Sequence, residues 1–122
     1  MALIPTLTLT DTTTFSDEIN FSVTDELTVT TPSQSLTSVA IAESAYATIF
    51  ADSGANGSVY IFVKNTNTSG TYQADLRTSA GVVFGTLSPG EFAFFPADTN
   101  QGVEAYGVGG GVTIEYAYWT KG

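Results

Sequence analysis

A hydroxyl nucleophile needs a base, and this sequence offers few. It has no histidine and no cysteine, and its basic residues are Lys64, Arg77 and Lys121. Histidine performs most general acid–base work near neutral pH. Arginine does not give up its proton. Lys121 is assigned to the C-terminal tail, which leaves Lys64 as the candidate base for a Ser or Thr. Its setting, "FVKNTNTSG" (62–70), has no nucleophile elbow. A carboxylate pair such as Glu43 with Asp52 could serve glycoside hydrolysis. With twelve acidic residues in 122, however, some pair is expected from composition alone.

Metal and phosphate chemistry fare no better. "DSGANG" (52–57) offers Asp52 and Asn56 as oxygen ligands. It lacks the alternating ligand rhythm and the distant glutamate of a calcium loop, and is expected to be a turn. The absence of cysteine rules out thiolate zinc sites and disulfides. "GVGGG" (107–111) has no Lys-Ser/Thr and no following helix, so it is expected to be a loose hairpin tip rather than a phosphate cradle. The expectation is a non-enzymatic protein with no catalytic residue, no metal site and no cofactor.

Composition narrows the partners. Twelve acidic residues against three basic ones give a net charge of −9. Phosphate backbones and anionic membranes are bound with Lys and Arg, so neither nucleic acid nor membrane is expected as a partner. The start, "MALIPTLTLTDTTT", lacks a basic n-region and an unbroken apolar h-region, so no secretory signal is expected. Hydrophobic residues make up 43% and charged residues only 12%, which leaves Thr, Ser, Asn, Gln and Gly to cover the surface.

The elements that must position any site are strands. "LTLTD" (7–11) and "FSVTD" (21–25) share an apolar-hydroxyl alternation and each ends at an Asp-initiated turn. They are expected to be similar half-buried strands. "TPSQS" (31–35) divides a Thr-rich N-terminal arm, residues 1–31, from a denser body, residues 32–122. In the body, short apolar runs recur every 8 to 12 residues between turn signals such as Ser88-Pro89-Gly90. "SVAIAESAYATIF" (38–50) could form a helix but favours strand, from its β-branched and aromatic flanks. The fold class is all-β: an antiparallel β-sandwich, jelly-roll-like or Greek-key, with an extended Thr-rich arm.

Period-two alternation assigns faces. Val59, Ile61 and Val63 share one, as do Val112, Ile114, Tyr116 and Tyr118. In "LSPGEFAFFP" (87–96), two rings outweigh one beside an alanine, so Phe92 and Phe94 are expected in the core, with the strand ending at Pro96. A second aromatic set then remains: Tyr60, Phe62, Phe95 and Trp119. Either the arm or a second sheet covers this set, or another protein chain does, since monomers rarely leave such a patch open. These four residues are the candidate interface.

Residues 59–119 resemble small β-sandwich virion proteins of tailed bacteriophages. The resemblance lies in "VYIFVKNT" (59–66), "GTLSPGEFAFFP" (85–96) and "VTIEYAYW" (112–119). It implies a virion structural protein, foremost a capsid cement or decoration protein on the head surface. The implied partners are the major capsid protein and further copies of itself, with a homotrimer expected from capsid threefolds. Such a chain would be made in the host cytoplasm and not secreted. The alternative is a tail, neck or fibre component, including a glycan-binding module that stacks sugars on Trp119, Tyr106 or Tyr118.

Overall fold

A computed structural model describes residues 2–10, 20–32, 36–68 and 70–122. The described residues form strands and no helix, in the order β1 (Ala2–Leu3), β2 (Thr6–Thr10), β3 (Asn20–Thr24), β4 (Leu27–Pro32), β5 (Thr37–Ile41), β6 (Tyr46–Phe50), β7 (Ser58–Asn65), β8 (Gln73–Arg77), β9 (Val83–Leu87), β10 (Phe92–Asp98), β11 (Val103–Val108) and β12 (Val112–Lys121). One sheet runs β1-β4-β12-β7-β10, with β5 also paired to β12; a second runs β6-β11-β8-β9; β2 and β3 form a separate ribbon. From β5 onward nearly every connection crosses between the two large sheets, as in a jelly roll. The fold is an all-β antiparallel sandwich, as the alternation requires.

Turn chemistry explains where the strands stop. At Ser88-Pro89-Gly90 the Glu91 N–H donates to the Ser88 carbonyl at 3.0 Å, and Gly90 has φ 84°. Proline sets the first central position of this turn, and the second takes a conformation glycine adopts freely. "SVAIAESAYATIF" becomes β5 and β6, joined through Ser44 at φ 58°. The glycine run is tighter than a loose tip: a Cβ at Gly110 would lie 2.6 Å from the Tyr72 ring.

The core lies between the two large sheets. Val59, Ile61 and Val63 of β7 and Val112 and Ile114 of β12 meet Ile49, Leu76, Leu87 and Val103. Each fully buried aliphatic side chain contributes about 1.5–3 kcal/mol. Tyr116 and Tyr118 pack against this cluster, and the Tyr118 ring meets Phe50 edge-on at 5.3 Å.

Three expectations need correction. Phe92 and Phe94 are not core residues: they are 61% and 38% exposed, while Ala93, Phe95 and Ala97 pack on the core. The ladder with β7 decides this, since directly opposite residues share a face. Ala93, Phe95 and Ala97 stand opposite Val63, Ile61 and Val59. Those three bulky residues are fully buried, so β10 fills the space beside them with two alanines and one ring. Second, β10 continues through Pro96 to Asp98. It ends the sheet order, and an edge strand tolerates a residue without an N–H. Third, the two echoing N-terminal segments pair with each other, but every residue of β2 is exposed rather than half-buried. The boundary drawn between residues 31 and 32 falls inside β4, which pairs with the end of β12 in the larger sheet.

Candidate functional site: an aromatic face and the ribbon above it

The outer face of the six-stranded sheet is built from three strands in register. Trp119 of β12 lies opposite Tyr60 of β7, which lies opposite Pro96 of β10. The next row is Ala117, Phe62 and Phe94, and the next is Glu115, Lys64 and Phe92. Strand alternation therefore places Tyr60, Phe62, Phe92, Phe94 and Trp119 together. The Tyr60 and Phe94 rings stack at 6.5 Å with 11° between planes, and Phe62 and Phe92 lie 6.4 Å apart. Of the four expected interface residues, Tyr60, Phe62 and Trp119 share this face. Phe95 points into the sandwich and meets Phe84 edge-on at 5.5 Å.

Above this face lies the β2–β3 ribbon. Its ladder sets Leu7 opposite Val23 on one side, and Thr6 opposite Thr24 and Thr8 opposite Ser22 on the other. The hydroxyl side satisfies itself: Thr6 Oγ1 and Thr24 Oγ1 are 2.9 Å apart, and the Thr8 hydroxyl donates to Ser22 Oγ at 3.2 Å. The ribbon and the sheet bound a cleft of ≈ 600 Å³, whose walls include Leu7 and Leu9 on one side and Phe62, Phe92, Phe94 and Trp119 on the other. The ribbon does not seal it. Leu7, Leu9 and Val23 remain 44%, 43% and 53% exposed.

The opposite sheet carries a polar clamp that the sequence did not signal. Arg77 Nε donates to Glu104 Oε1 at 2.5 Å. Its guanidinium stands 4.5 Å from the Tyr106 ring centre and 5.3 Å from that of Tyr46. Glu104 is buried, and Arg77 is the partner its side chain meets there. A face of Tyr106, one of the rings considered for sugar stacking, is thus taken up by Arg77. The only sequence signal was a lone Arg and a lone Glu, 27 residues apart.

Asn65, at the end of β7, is a second buried polar centre. Its Nδ2 donates to the Leu87 carbonyl at 3.0 Å and to the Tyr72 carbonyl at 3.3 Å, and its Oδ1 accepts from Asn67 N–H at 3.1 Å. The residue ties β7 to the start of β8 and the end of β9, so the Lys-Asn turn seen in the sequence locks the two sheets together. Among the described residues no three Asp or Glu side chains gather as a metal site would require. No helix among them is long and apolar enough to cross a membrane.

No protein-family model matches the chain, and no curated protein does. Among solved structures there is a similarity to a subunit described in "Bacillus endospore appendages form a novel family of disulfide-linked pili", with 17% identity, a TM-score of 0.45, and coverage of 75% of this chain and 90% of that one.

Proposed function

We propose that this chain is a non-enzymatic structural protein that joins protein subunits, with the aromatic face of the six-stranded sheet as its contact. The observation that carries this is the exposure of Phe92 and Phe94, 61% and 38%, beside Phe62 and Trp119 on one continuous face. Large aromatics left open in a cluster mark a surface that another chain covers. A catalytic reading has no comparable support: Lys64 stands in a row between Phe92 and Glu115, and Arg77 is committed to Glu104.

The particular assembly follows from the sequence resemblance to tailed-phage virion proteins. On that basis the chain is a cement or decoration protein of the head surface, whose partners are the major capsid protein and its own copies, a trimer first. The acidic balance suits a basic partner surface. Two measurements test this. Particles of the phage that encodes the chain should contain it in a copy number comparable with that of the major capsid protein, and a map should place it on the head. A few copies at the tail would overturn the cement assignment. The variant Phe92→Ser/Phe94→Ser should fold yet fail to bind shells lacking the protein; undiminished binding would remove the aromatic face from the contact.

A further inference from the structure

We infer that the β2–β3 ribbon is an intersubunit strap whose apolar side seats on the aromatic face of a second copy of this chain. The inference rests on the assembly role proposed above and names the element that performs it.

The ribbon is not self-sufficient. An isolated two-stranded hairpin is marginal in water and needs a third strand or a packed face. Here all five residues of β2 are exposed, and Leu7, Leu9 and Val23 on the apolar side stay about half exposed. The ribbon's own subunit does not supply one, since the cleft of ≈ 600 Å³ stays between them. Two apolar surfaces therefore line an unfilled cleft, and a chain that associates can satisfy both.

Charge selects the occupant. β2, β3 and the stretch of β10 from Phe92 to Ala97 contain no charged residue, although the chain carries −9. Identical copies repel one another over most of their surface and can approach where charge is absent. The paired strands of the ribbon are such a place, and on the aromatic face the rows of Pro96, Tyr60 and Trp119 and of Phe94, Phe62 and Ala117 are uncharged, with Lys64 and Glu115 confined to the row of Phe92. β10 also ends its sheet, so its outer backbone edge is open to a neighbouring strand as far as Pro96, which has no N–H to offer.

Connectivity gives the ribbon reach. It continues the β1–β4 pair, which is anchored in the sheet through β12, and is joined to that pair by Ile4-Pro5 and Asp25-Glu26. At this junction the Asp25 N–H donates to the Pro5 carbonyl at 3.2 Å. Such element-terminal residues between two paired segments are the kind that can absorb the backbone change of a hinge. A strap passed from each copy to the next gives a heterologous contact, which closes into a ring when the rotation permits.

The chain has no cysteine, so introduced thiols report proximity directly. Leu7→Cys protein mixed with Phe94→Cys protein under mild oxidation should give a disulfide-linked heterodimer, several-fold more than Thr8→Cys with Phe94→Cys, since Thr8 lies on the hydroxyl side. The double variant Leu7→Cys/Phe94→Cys should cross-link between chains. If it closes within single chains, and the mixture yields no more heterodimer than the Thr8 control, the ribbon belongs to its own subunit and the inference fails. Light scattering separates this from the broader reading. Leu7→Ser/Leu9→Ser and Phe92→Ser/Phe94→Ser should each weaken self-association by about tenfold or more. Loss with the phenylalanine pair but not with the leucine pair sinks the strap and leaves the aromatic contact standing. No loss with either sinks both.

Discussion

Phe95 lies directly opposite Ile61 in the ladder between β10 and β7, and so shares its core face. Its neighbour Phe94 lies opposite Phe62 and shares the outer one. One residue of register thus separates a stability residue from a surface residue. Phe95→Ala should lower unfolding free energy by about 2–4 kcal/mol, somewhat under the 3–5 of a fully buried phenylalanine, because Phe95 is only partly buried. Phe92→Ala should change it by less than about 1 kcal/mol, and Phe94→Ala by about 1, through the stacking with Tyr60. Urea midpoints at constant slope measure all three. A Phe92→Ala midpoint lower than that of Phe95→Ala would reverse the faces.

The faces of β10 show what the sequence could and could not reveal. Alternation and turn residues were enough for the strands: Ser88-Pro89-Gly90 turns as its residue types require, and Val59, Ile61 and Val63 are inside. In β10, however, both faces are apolar, so period two alone cannot say which is the inner one. The choice belongs to the partner strand, whose bulky Val59, Ile61 and Val63 leave room for alanines and a single ring. The aromatic face was legible as Tyr60, Phe62 and Trp119, because β7 has one plainly aliphatic side and β12 begins its inner side with Val112 and Ile114. The Arg77 clamp and the Asn65 lock were not legible, since each depends on strands brought together by topology.

Arg77 and Glu104 form a pair whose halves cannot be lost separately. Arg77→Ala leaves the Glu104 carboxylate buried without its guanidinium and frees two tyrosine faces. The cost should be about 2–4 kcal/mol, below the upper range for buried pairs because the Arg77 side chain keeps 19% exposure. Arg77→Lys keeps the charge but not the planar stack, and should cost about 1 kcal/mol. The double variant Arg77→Leu/Glu104→Leu should be more stable than Arg77→Ala, because no buried charge is left alone. Denaturant titration of the three gives the order, and a double variant less stable than Arg77→Ala would contradict it.

Asn65 makes a different prediction for each of two substitutions. Asn65→Ala removes the donor to the Leu87 and Tyr72 carbonyls and should cost about 2–3 kcal/mol, as expected when buried acceptors lose their partner. Asn65→Asp places an acceptor-only carboxylate against those same oxygens, and should be the more damaging. Thermal melting ranks the pair. Equal melting temperatures for Asn65→Asp and the parent would mean that Nδ2 donation contributes nothing to the joint between the sheets.

The ribbon should differ from the sandwich in how readily it opens. β7 and β12 are paired on both sides and buried, whereas among the described residues β2 and β3 pair only with each other and leave Leu7, Leu9 and Val23 about half exposed. Local opening costs least where few apolar contacts must break. In dilute monomer, amide hydrogens of the ladder between Thr6 and Thr24 should exchange orders of magnitude faster than those of Ile61, Val63 and Ile114. Raising the concentration until copies associate should slow exchange in the ribbon and on β10, and leave the β7 and β12 amides unchanged. The two responses are coupled if the ribbon of one copy covers the face of the next. Strong protection of β2 and β3 already present in dilute monomer would mean that the ribbon is stable where it stands. Protection that appeared on β10 alone would place another element on the aromatic face.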